Sequence, residues 1–233
     1  MVTCFVTLVN FCSMSSVRLL IDPAGDKAWN MAVDEALLRL VTVPVLRIYR
    51  WTEPAVSIGY FEKSGDVPAG RPFVRRYTGG GLVDHEADFT YTLVLPKDHP
   101  LALAGTGPSY EAIHEKITAA LQREGIDARL TPVNDEVEHH ACFQKAVRFD
   151  VVDSHGRKLA GAAQRRTRQG CLHQGSILPG KFDFDSLARS VADALEPVLG
   201  KGLEESRLTG DETAKARELE STRYRTREWN ESR

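Results

Sequence analysis

Two stretches of this sequence hold residue types that can bind anions or transfer acyl groups. The first, residues 75–85, reads RRYTGGGLVDH and places Arg75 and Arg76 just before three consecutive glycines. Glycines allow backbone angles that side chains forbid, and they let N–H groups approach a bound anion. Arginine adds a planar fork of donors suited to phosphate or carboxylate. The pattern is also typical of a tight surface turn with solvated arginines, but the arginines and the nearby His85 favour a binding loop.

The second stretch pairs a cysteine with a lysine. Cys142 stands 16 residues before Lys158, and Lys158 is followed by small residues, including Gly161 and Ala162, that leave room for a ligand. We predict a hairpin with Cys142 and Lys158 on opposite arms. An ammonium near a thiol lowers the thiol pKa and raises the fraction of nucleophilic thiolate. The alternative is a small, buried, unreactive cysteine, which is the usual role of a single cysteine.

The elements that must position these residues follow from hydrophobic periodicity. Strands are predicted at residues 17–21, 45–51, 55–59, 89–95, 128–130, 147–152, 157–163 and 171–177. Helices are predicted at residues 30–40, 109–123, 185–198 and 211–219, with Ser109, Asp185 and Thr209 as N-caps. This order predicts an α+β fold, in which helices pack on the faces of a mixed, mostly antiparallel sheet. The absence of repeated βαβ units argues against a doubly wound dinucleotide-binding fold.

Three local expectations accompany this fold. The strand at residues 55–59 is expected to pair with the strand at residues 45–51 through a turn at Glu53 and Pro54. Asp34 and Glu35 are expected in the early turns of their helix, where the helix dipole favours carboxylates. The residues after the last helix are expected to form an exposed charged tail.

Composition narrows the class of protein. The chain has 233 residues, 42% of them hydrophobic and 27% charged, which predicts one globular domain over residues 17–233. Residues 1–16 are interpreted as a tail or a mis-assigned start, with Met14 as the preferred initiator. The net charge of -2 gives no reason to expect a nucleic-acid partner. No stretch has the length of a membrane helix, and a reducing cytoplasm is the simplest location.

The sequence predicts no metal site and no disulfide framework. Its four cysteines, Cys4, Cys12, Cys142 and Cys171, show no paired short spacing. Two glutamates and two histidines within residues 136–140 could bind a metal ion, but a solvated loop is the favoured interpretation.

Several motifs together resemble the lipoate–protein ligases and the related octanoyltransferases. The glycine stretch matches the family's Arg-Arg-x-Ser/Thr-Gly-Gly-Gly-x-Val-x-His loop, and RKLAGAAQRR followed by LHQGSIL matches its lysine and His-x-Gly-Ser/Thr strands. NMAVDEALL, VLRIYRWTEPAVSIGYFE and RYRTREWN also look like family segments. The combination in this order is specific. It implies a class II synthetase-like, biotin/lipoyl-ligase fold and acyl transfer onto a lysine of a lipoyl domain.

The resemblance also implies roles for particular residues. Lys158 matches the lysine that contacts the acyl carbonyl and the phosphate in the family. Asp84 stands where family members often carry an aromatic residue. The substrate- or adenylate-binding set comprises Arg76, Gly79, Gly80, Gly81, Leu82, Val83, Asp84, His85, Gly161 and Ala162.

The resemblance leaves two branches open. The Ala-Cys-Phe triplet, a strand and then the lysine look like the LipM-type octanoyltransferases, in which Cys142 would accept octanoate from acyl carrier protein without a cofactor. The acceptor would be a lipoyl domain, as in glycine cleavage H protein or the E2 subunit of 2-oxoacid dehydrogenases. The alternative is a lipoate–protein ligase that uses ATP and Mg. A non-catalytic acyl-binding module remains a third hypothesis, whereas the Gly-Arg-Gly loop of biotin ligases is not found.

Overall fold

A central eight-stranded sheet organises the chain. The computed structural model describes residues 16–132, 146–178 and 183–233. The strands of this sheet are β1 (Val17–Ile21), β2 (Val45–Tyr49), β6 (Phe89–Pro96), β7 (Arg129–Leu130), β8 (Val151–Val152), β9 (Lys158–Arg166), β10 (Gly170–Ile177) and β11 (Leu203–Glu205). Their order is β11-β1-β2-β6-β10-β9-β8-β7. The β11–β1 and β1–β2 pairs are parallel and the other pairs are antiparallel, which confirms the predicted mixed sheet.

Helices cover both faces of this sheet. They are α1 (Lys27–Leu40), α2 (Pro100–Leu103), α3 (Thr106–Arg123), α4 (Phe184–Leu199), α5 (Gly210–Leu219) and α6 (Arg227–Asn230). One hydrophobic core joins α3 and α4 to side chains of β6 that include Phe89, Tyr91 and Leu93. The second core joins α1 and α5 to the opposite face, where Val94 and Leu172 point. Because successive side chains of β6 and β10 point to opposite faces of the sheet, each strand contributes to both cores. Across the described ranges, no helix combines the length and hydrophobicity that crossing a bilayer requires.

A second, three-stranded sheet carries the glycine stretch. It contains β3 (Val56–Ile58), β4 (Phe73–Arg75) and β5 (Val83–Asp84) in the order β4-β3-β5. The expectation that β3 pairs with β2 was therefore wrong. Both edges of β2 are already occupied, by β1 on one side and by β6 on the other. The chain leaves the large sheet after β2, and β3 begins a new one.

Helix starts differ from the predicted ones because other residues supply the caps. Helix α1 begins at Lys27, and its N-cap Asp26 accepts hydrogen bonds from two backbone N–H groups. Ser109 lies inside α3, and its hydroxyl donates to the carbonyl of Gly105. Asp183, not Asp185, caps α4. Thr209 caps α5 in a capping box with Glu212, as predicted.

The carboxylates of α1 lie in mid-helix and do not serve the helix dipole. Asp34 and Glu35 are fully buried, and the first turn of α1 contains no acidic residue. Asp34 pairs with the buried Arg47 at 2.7 Å, and Glu35 pairs with Arg223 at 2.7 Å. Buried carboxylates require such partners, since an unpaired buried charge is costly.

The segment after α5 is not an exposed tail. A π-helical turn, Glu220–Tyr224, continues α5, and Tyr224 is buried with its hydroxyl on Glu35 at 2.6 Å. Helix α6 then supplies backbone carbonyls of Trp229 and Asn230 to the buried guanidinium of Arg75. The many charged residues of this segment predicted solvent exposure, but several of these side chains form ion pairs with buried carboxylates.

Candidate active site

The glycine stretch and the lysine strand meet at one cavity of about 150 Å³. It lies between the α1 face of the large sheet and the loop that joins β4 to β5. The lining residues are Met31, Tyr49, Arg76, Gly80, Gly81, Val83, Thr90, Val147, Lys158, Gly161, Ala162, Ala163, Gln174, Gly175 and Ser176. Seven of the residues predicted from sequence are among them: Arg76, Gly80, Gly81, Val83, Lys158, Gly161 and Ala162.

Lys158 is held at the start of β9 by an ion pair. Its Nζ lies 2.8 Å from Oδ2 of Asp150, whose side chain is fully buried while that of Lys158 is 9% exposed. The lysine side chain passes directly over Gly161, where a Cβ would come within 2.5 Å of Cε and 2.7 Å of Nζ. Glycine at 161 is therefore required by this position of the ammonium.

Tyr110 of α3 completes the support of the lysine. Its hydroxyl donates to Oδ1 of Asp150 at 2.5 Å and accepts from the N–H of Ala162 at 2.9 Å. Burial, together with the charge of Asp150, raises the pKa of the Tyr110 phenol, so it remains a donor. Sequence reasoning missed both Asp150 and Tyr110. The available signals were an acidic residue within the lysine hairpin and a tyrosine near the start of an amphipathic helix.

The predicted strand at residues 147–152 is shorter than expected. Only Val151–Val152 is extended, because Val147 and Asp150 form a turn closed by the Asp150 N–H on the Val147 carbonyl. The hairpin itself is confirmed, since β8 pairs with β9 in antiparallel fashion. Cys142 and the acidic and histidine residues at 136–140 lie outside the described residues. The described residues resume at Ala146. Val147, which stands five positions after Cys142, lines the cavity.

The glycine loop is shaped from beneath by Arg76. Its Nη2 donates to the carbonyls of Gly79 at 3.0 Å and Gly81 at 2.7 Å, and its Nη1 donates to the carbonyl and hydroxyl of Ser57. Gly80 has φ of 78°, a left-handed conformation that favours glycine. Gly59 packs so closely against the loop that a Cβ there would lie 1.6 Å from the carbonyl oxygen of Gly80.

The remaining predicted residues of the loop lie away from the cavity wall. Gly79 contributes its carbonyl to Arg76, and Leu82 is half-buried. Asp84 is exposed and pairs with Arg71 at 2.6 Å. His85 is buried, stacks on Trp51 with 3.9 Å between the ring centroids, and bonds Ser57 and Asp88. The structure therefore places these four residues around the loop and not at the lining.

A buried polar floor lies behind the cavity and fixes the start of the loop. Gln174 accepts from the hydroxyl of Thr78 at 2.7 Å and donates to Oδ2 of Asp34 at 2.7 Å. Tyr49 and Thr92 donate to the same carboxylate oxygen. Four elements and the glycine loop are thereby joined through Asp34, a residue that the sequence placed only on a helix.

Of the cysteines, Cys171 is the one that the structure describes, and it does not have the character of a nucleophile. It lies on β10 on the α3 and α4 side, is 1% exposed and is not among the cavity-lining residues. Burial raises the pKa of its thiol, which favours the unreactive protonated form.

No cluster of three or more metal-ligating side chains occurs within residues 16–132, 146–178 and 183–233. The charged groups at the described cavity are therefore the ion pair of Lys158 and the guanidinium of Arg76.

Comparison with known proteins now decides the family. Residues 26–206 match the model of the lipoyl protein ligase A/B catalytic domain, which is more than half of the chain. The chain belongs to the lipoyl protein ligase A/B family. The family match spans every element that forms the cavity, from α1 to β10.

Two relatives that are aligned over nearly their full length carry the same activity in their names. An octanoyltransferase LipM of Kyrpidia tusciae is 32% identical, and the alignment covers 93% of this chain and 99% of that protein. An octanoyltransferase LipM of Brevibacillus brevis is 31% identical with the same coverage.

Solved structures of this family share the fold. A structure of a T. acidophilum protein described as a lipoate protein ligase, with bound lipoic acid, superposes with a TM-score of 0.78 at 24% identity. The match covers 94% of this chain and 100% of that one. A lipoate-protein ligase A bound with ATP gives a TM-score of 0.76 at 25% identity, covering 93% and 98% of the two chains. These superpositions agree with the predicted biotin/lipoyl-ligase type of fold.

Proposed function

We propose that this protein is an octanoyltransferase of protein lipoylation. The observation that carries the proposal is its similarity, over 93% of its length, to octanoyltransferases that it matches almost end to end. The cavity agrees with this activity, because it brings a buried lysine and a glycine loop to one small, mostly apolar space. An acyl chain is an apolar ligand with one polar reacting end, which suits such a lining.

Cys142 is the nucleophile in this proposal. Its thiolate attacks the carbonyl carbon of an octanoyl thioester, a new thioester forms on Sγ, and the carrier thiolate leaves. The amine of the acceptor lysine then attacks the same carbonyl, an amide forms, and the Cys142 thiolate leaves as the amine loses a proton. Both bonds broken are thioesters, so no external activation is needed. The position of Cys142 five residues before the cavity-lining Val147 supports this role.

Lys158 and the glycine loop stabilise the negative oxygen of each tetrahedral intermediate. The Lys158 ammonium is preorganised by Asp150, so no side-chain ordering is needed at the moment of reaction. The backbone N–H groups of Gly79 and Gly80 donate to no acceptor in the described part of the chain, which leaves them available to such an oxygen. A preorganised donor of this kind typically contributes on the order of a hundredfold to the rate.

The proposed donor is octanoyl-acyl carrier protein, and the proposed acceptor is a lipoyl domain. A T. acidophilum ligase of the same fold was solved with its E2 lipoyl domain. The rival reaction joins free lipoate to the acceptor with ATP and Mg, and the structure of a relative at 25% identity holds ATP. All four Nη hydrogens of Arg76 meet protein acceptors here, so a phosphate would have to displace one of them.

The decisive experiment gives the purified protein a lipoyl domain together with one of two donor systems. Octanoyl-acyl carrier protein should yield an octanoylated lipoyl domain, whereas lipoate with ATP and Mg should yield none. Intact-mass measurement before the acceptor is added should find one octanoyl group on the enzyme.

Cys142→Ala tests the proposed nucleophile, and Cys171→Ala is its control. Cys142→Ala should abolish both transfer and the mass increase, while Cys171→Ala should retain transfer. Full octanoyl transfer by Cys142→Ala would eliminate the acyl-enzyme. Turnover with lipoate and ATP alone would identify a ligase, and bound acyl groups without turnover would indicate a binding module.

A further inference from the structure

Three buried polar side chains next to the glycine loop have no part in the reaction described above. Ser57 on β3 is fully buried, and His85 is 5% exposed. Asp88 precedes β6, and its side chain is fully buried. They form a chain: His85 Nε2 lies 2.6 Å from Ser57 Oγ, and His85 Nδ1 lies 2.8 Å from Asp88 Oδ2.

The three side chains lie at the distances found in a Ser-His-Asp catalytic triad, but the serine hydroxyl has no access to the cavity. Ser57 is absent from the cavity lining, and Nη1 of Arg76 donates to its oxygen at 2.7 Å. A nucleophilic hydroxyl must reach the substrate carbonyl. Ser57 therefore cannot attack, and the chain must act through what it touches.

The direction of the hydrogen bonds follows from Asp88, because a carboxylate only accepts and Nδ1 of His85 must therefore donate to it. In this tautomer Nε2 accepts from the Ser57 hydroxyl, whose oxygen in turn accepts from Nη1 of Arg76. The tautomer assigned by this network carries its hydrogen on Nδ1, where it donates to Asp88. One end of the chain thus orients the hydroxyl that holds Nη1 of Arg76.

The other side of Arg76 orients the glycine loop. Nη2 binds the carbonyls of Gly79 and Gly81. A trans peptide is planar, so the direction of each carbonyl fixes the opposite direction of the next N–H, on Gly80 and Leu82. Any rotation of the guanidinium therefore turns N–H groups of the loop.

The far end of the chain returns to the cavity. Oδ2 of Asp88 also accepts from the hydroxyls of Thr90 and Ser176, both of which line the cavity. Trp51, which stacks on His85, donates to Thr90 at 2.8 Å. The polar chain thus runs from one wall of the cavity, through buried groups, to the glycine loop on the opposite wall.

We propose that Ser57, His85 and Asp88 are positioning residues that set the glycine loop for catalysis by orienting Arg76. This inference rests on the proposed acyl transfer and adds residues that touch neither substrate nor nucleophile. A loop whose N–H groups point wrongly loses stabilisation of the transition state while substrate binding stays intact. Errors of about 1 Å in such geometry can cost on the order of a hundredfold in rate.

The test is Ser57→Ala, measured by steady-state transfer of octanoate from the thioester donor to a lipoyl domain. We expect kcat to fall by about tenfold to a hundredfold, with KM for the donor changed by less than about twofold. Ser109→Ala is the matched control: this serine is equally buried, its hydroxyl donates to the carbonyl of Gly105, and it lies on α3 outside this hydrogen-bonded chain. The control should keep kcat within about twofold of the starting enzyme.

A second measurement separates positioning from loss of fold. Asp88→Asn alters the opposite end of the chain, and rates of all variants are normalised to the folded fraction from urea unfolding. If the three residues act as a unit, the double variant Ser57→Ala with Asp88→Asn should lose scarcely more kcat than the worse of the two single variants.

Each failure has a distinct meaning. Ser57→Ala with unchanged kcat, or a loss no greater than in Ser109→Ala, would overturn the inference. Multiplying losses in the double variant would also overturn it. A starting enzyme that transfers no octanoate would instead refute the proposed function.

Discussion

At the scale of single residues, Lys158 depends on Asp150 of its own hairpin and, through Asp150, on Tyr110 of α3. Asp150 neutralises its charge, and Tyr110 of α3 locks the carboxylate by donating to its second oxygen. A buried ammonium without a counter-charge costs several kcal/mol, so the carboxylate of Asp150 stabilises Lys158 in this position. The position of Lys158 thus depends on Asp150, in the turn before β8, and on Tyr110 of α3.

Breaking this ion pair should destabilise the protein and stop transfer. Asp150→Asn removes the carboxylate that neutralises the ammonium, and we expect the free energy of unfolding to fall by about 3 kcal/mol, with kcat reduced at least about tenfold. Urea unfolding and the octanoyl-transfer rate measure the two effects.

The double variant Asp150→Asn with Lys158→Met isolates the cause. It removes the uncompensated charge, so most of the lost stability should return while activity stays absent. A double variant no more stable than Asp150→Asn would contradict the role of the pair.

At the scale of elements, the residue that follows β3, Gly59, must be glycine because the backbone there lies close to the glycine loop. A methyl group at position 59 would collide with the backbone of Gly80, which cannot move aside as the end of a flexible side chain could. Gly59→Ala should lower the free energy of unfolding by about 2 kcal/mol and reduce the transfer rate, because the loop must shift.

Gly65→Ala is the matched control for this element. Position 65 lies in the 3₁₀ turn Ser64–Asp66 with nothing within 4 Å of an added Cβ. It should leave both stability and transfer rate unchanged. Equal effects at positions 59 and 65 would mean that the close contact with Gly80 does not matter.

Local sequence patterns predicted the elements but not their partners. Alternation in residues 89–95 and 171–177 predicted β6 and β10, because a half-buried strand imposes period two. The separate sheet of β3 could not be predicted, since pairing depends on which edges other strands leave open. Tyr110 and Asp150 are 40 residues apart, and neither belongs to a motif.

The residues of the candidate site were likewise predicted only in part. Small residues and lysine at the start of β9 indicated a ligand site, and both line the cavity. The pattern predicted that Arg76 binds a ligand; Arg76 does line the cavity, and its Nη groups in addition hold the loop, which was not predicted. A guanidinium that binds carbonyls leaves no signature in the sequence, because every residue offers a carbonyl.

At the scale of the whole molecule, two buried histidines couple stability to pH. Burial lowers the pKa of His114 to about 4, and burial with the nearby His114 lowers the pKa of His173 well below its usual range. Nδ1 of His114 donates to the carbonyl of Phe149, while its Nε2 meets no partner within the described ranges. Folding therefore disfavours the protonated form of both rings.

Acid should begin to destabilise the protein as the pH falls below the ordinary histidine value of 6.5. Between the ordinary histidine value of 6.5 and about 4, the unfolded chain binds a proton that folded His114 does not. The contribution of His114 to stability is complete above pH 6.5 and declines as the pH falls below that value. At pH 5 the loss from this one ring is about 2 kcal/mol, to be measured by urea unfolding at pH 5, 6 and 7.

Replacing the ring should flatten this dependence. His114→Gln should reduce the difference in unfolding free energy between pH 7 and pH 5 by about 2 kcal/mol. His155→Gln, at an exposed position, should leave the difference as it was. A pH slope unchanged in His114→Gln would exclude this ring as its source.

The strand β9 draws its neighbours from both layers of the protein. The carboxylate of Asp150, which pairs with its lysine, accepts a hydrogen bond from a hydroxyl of α3, while the facing loop is tied to α1 through Gln174 and Asp34. A chimera that exchanges the α3 layer between family members must therefore transplant Tyr110 together with its acidic partner. A graft that separates them would leave the buried carboxylate without its hydroxyl partner and the lysine less firmly held, so crossover points should fall outside residues 110–150.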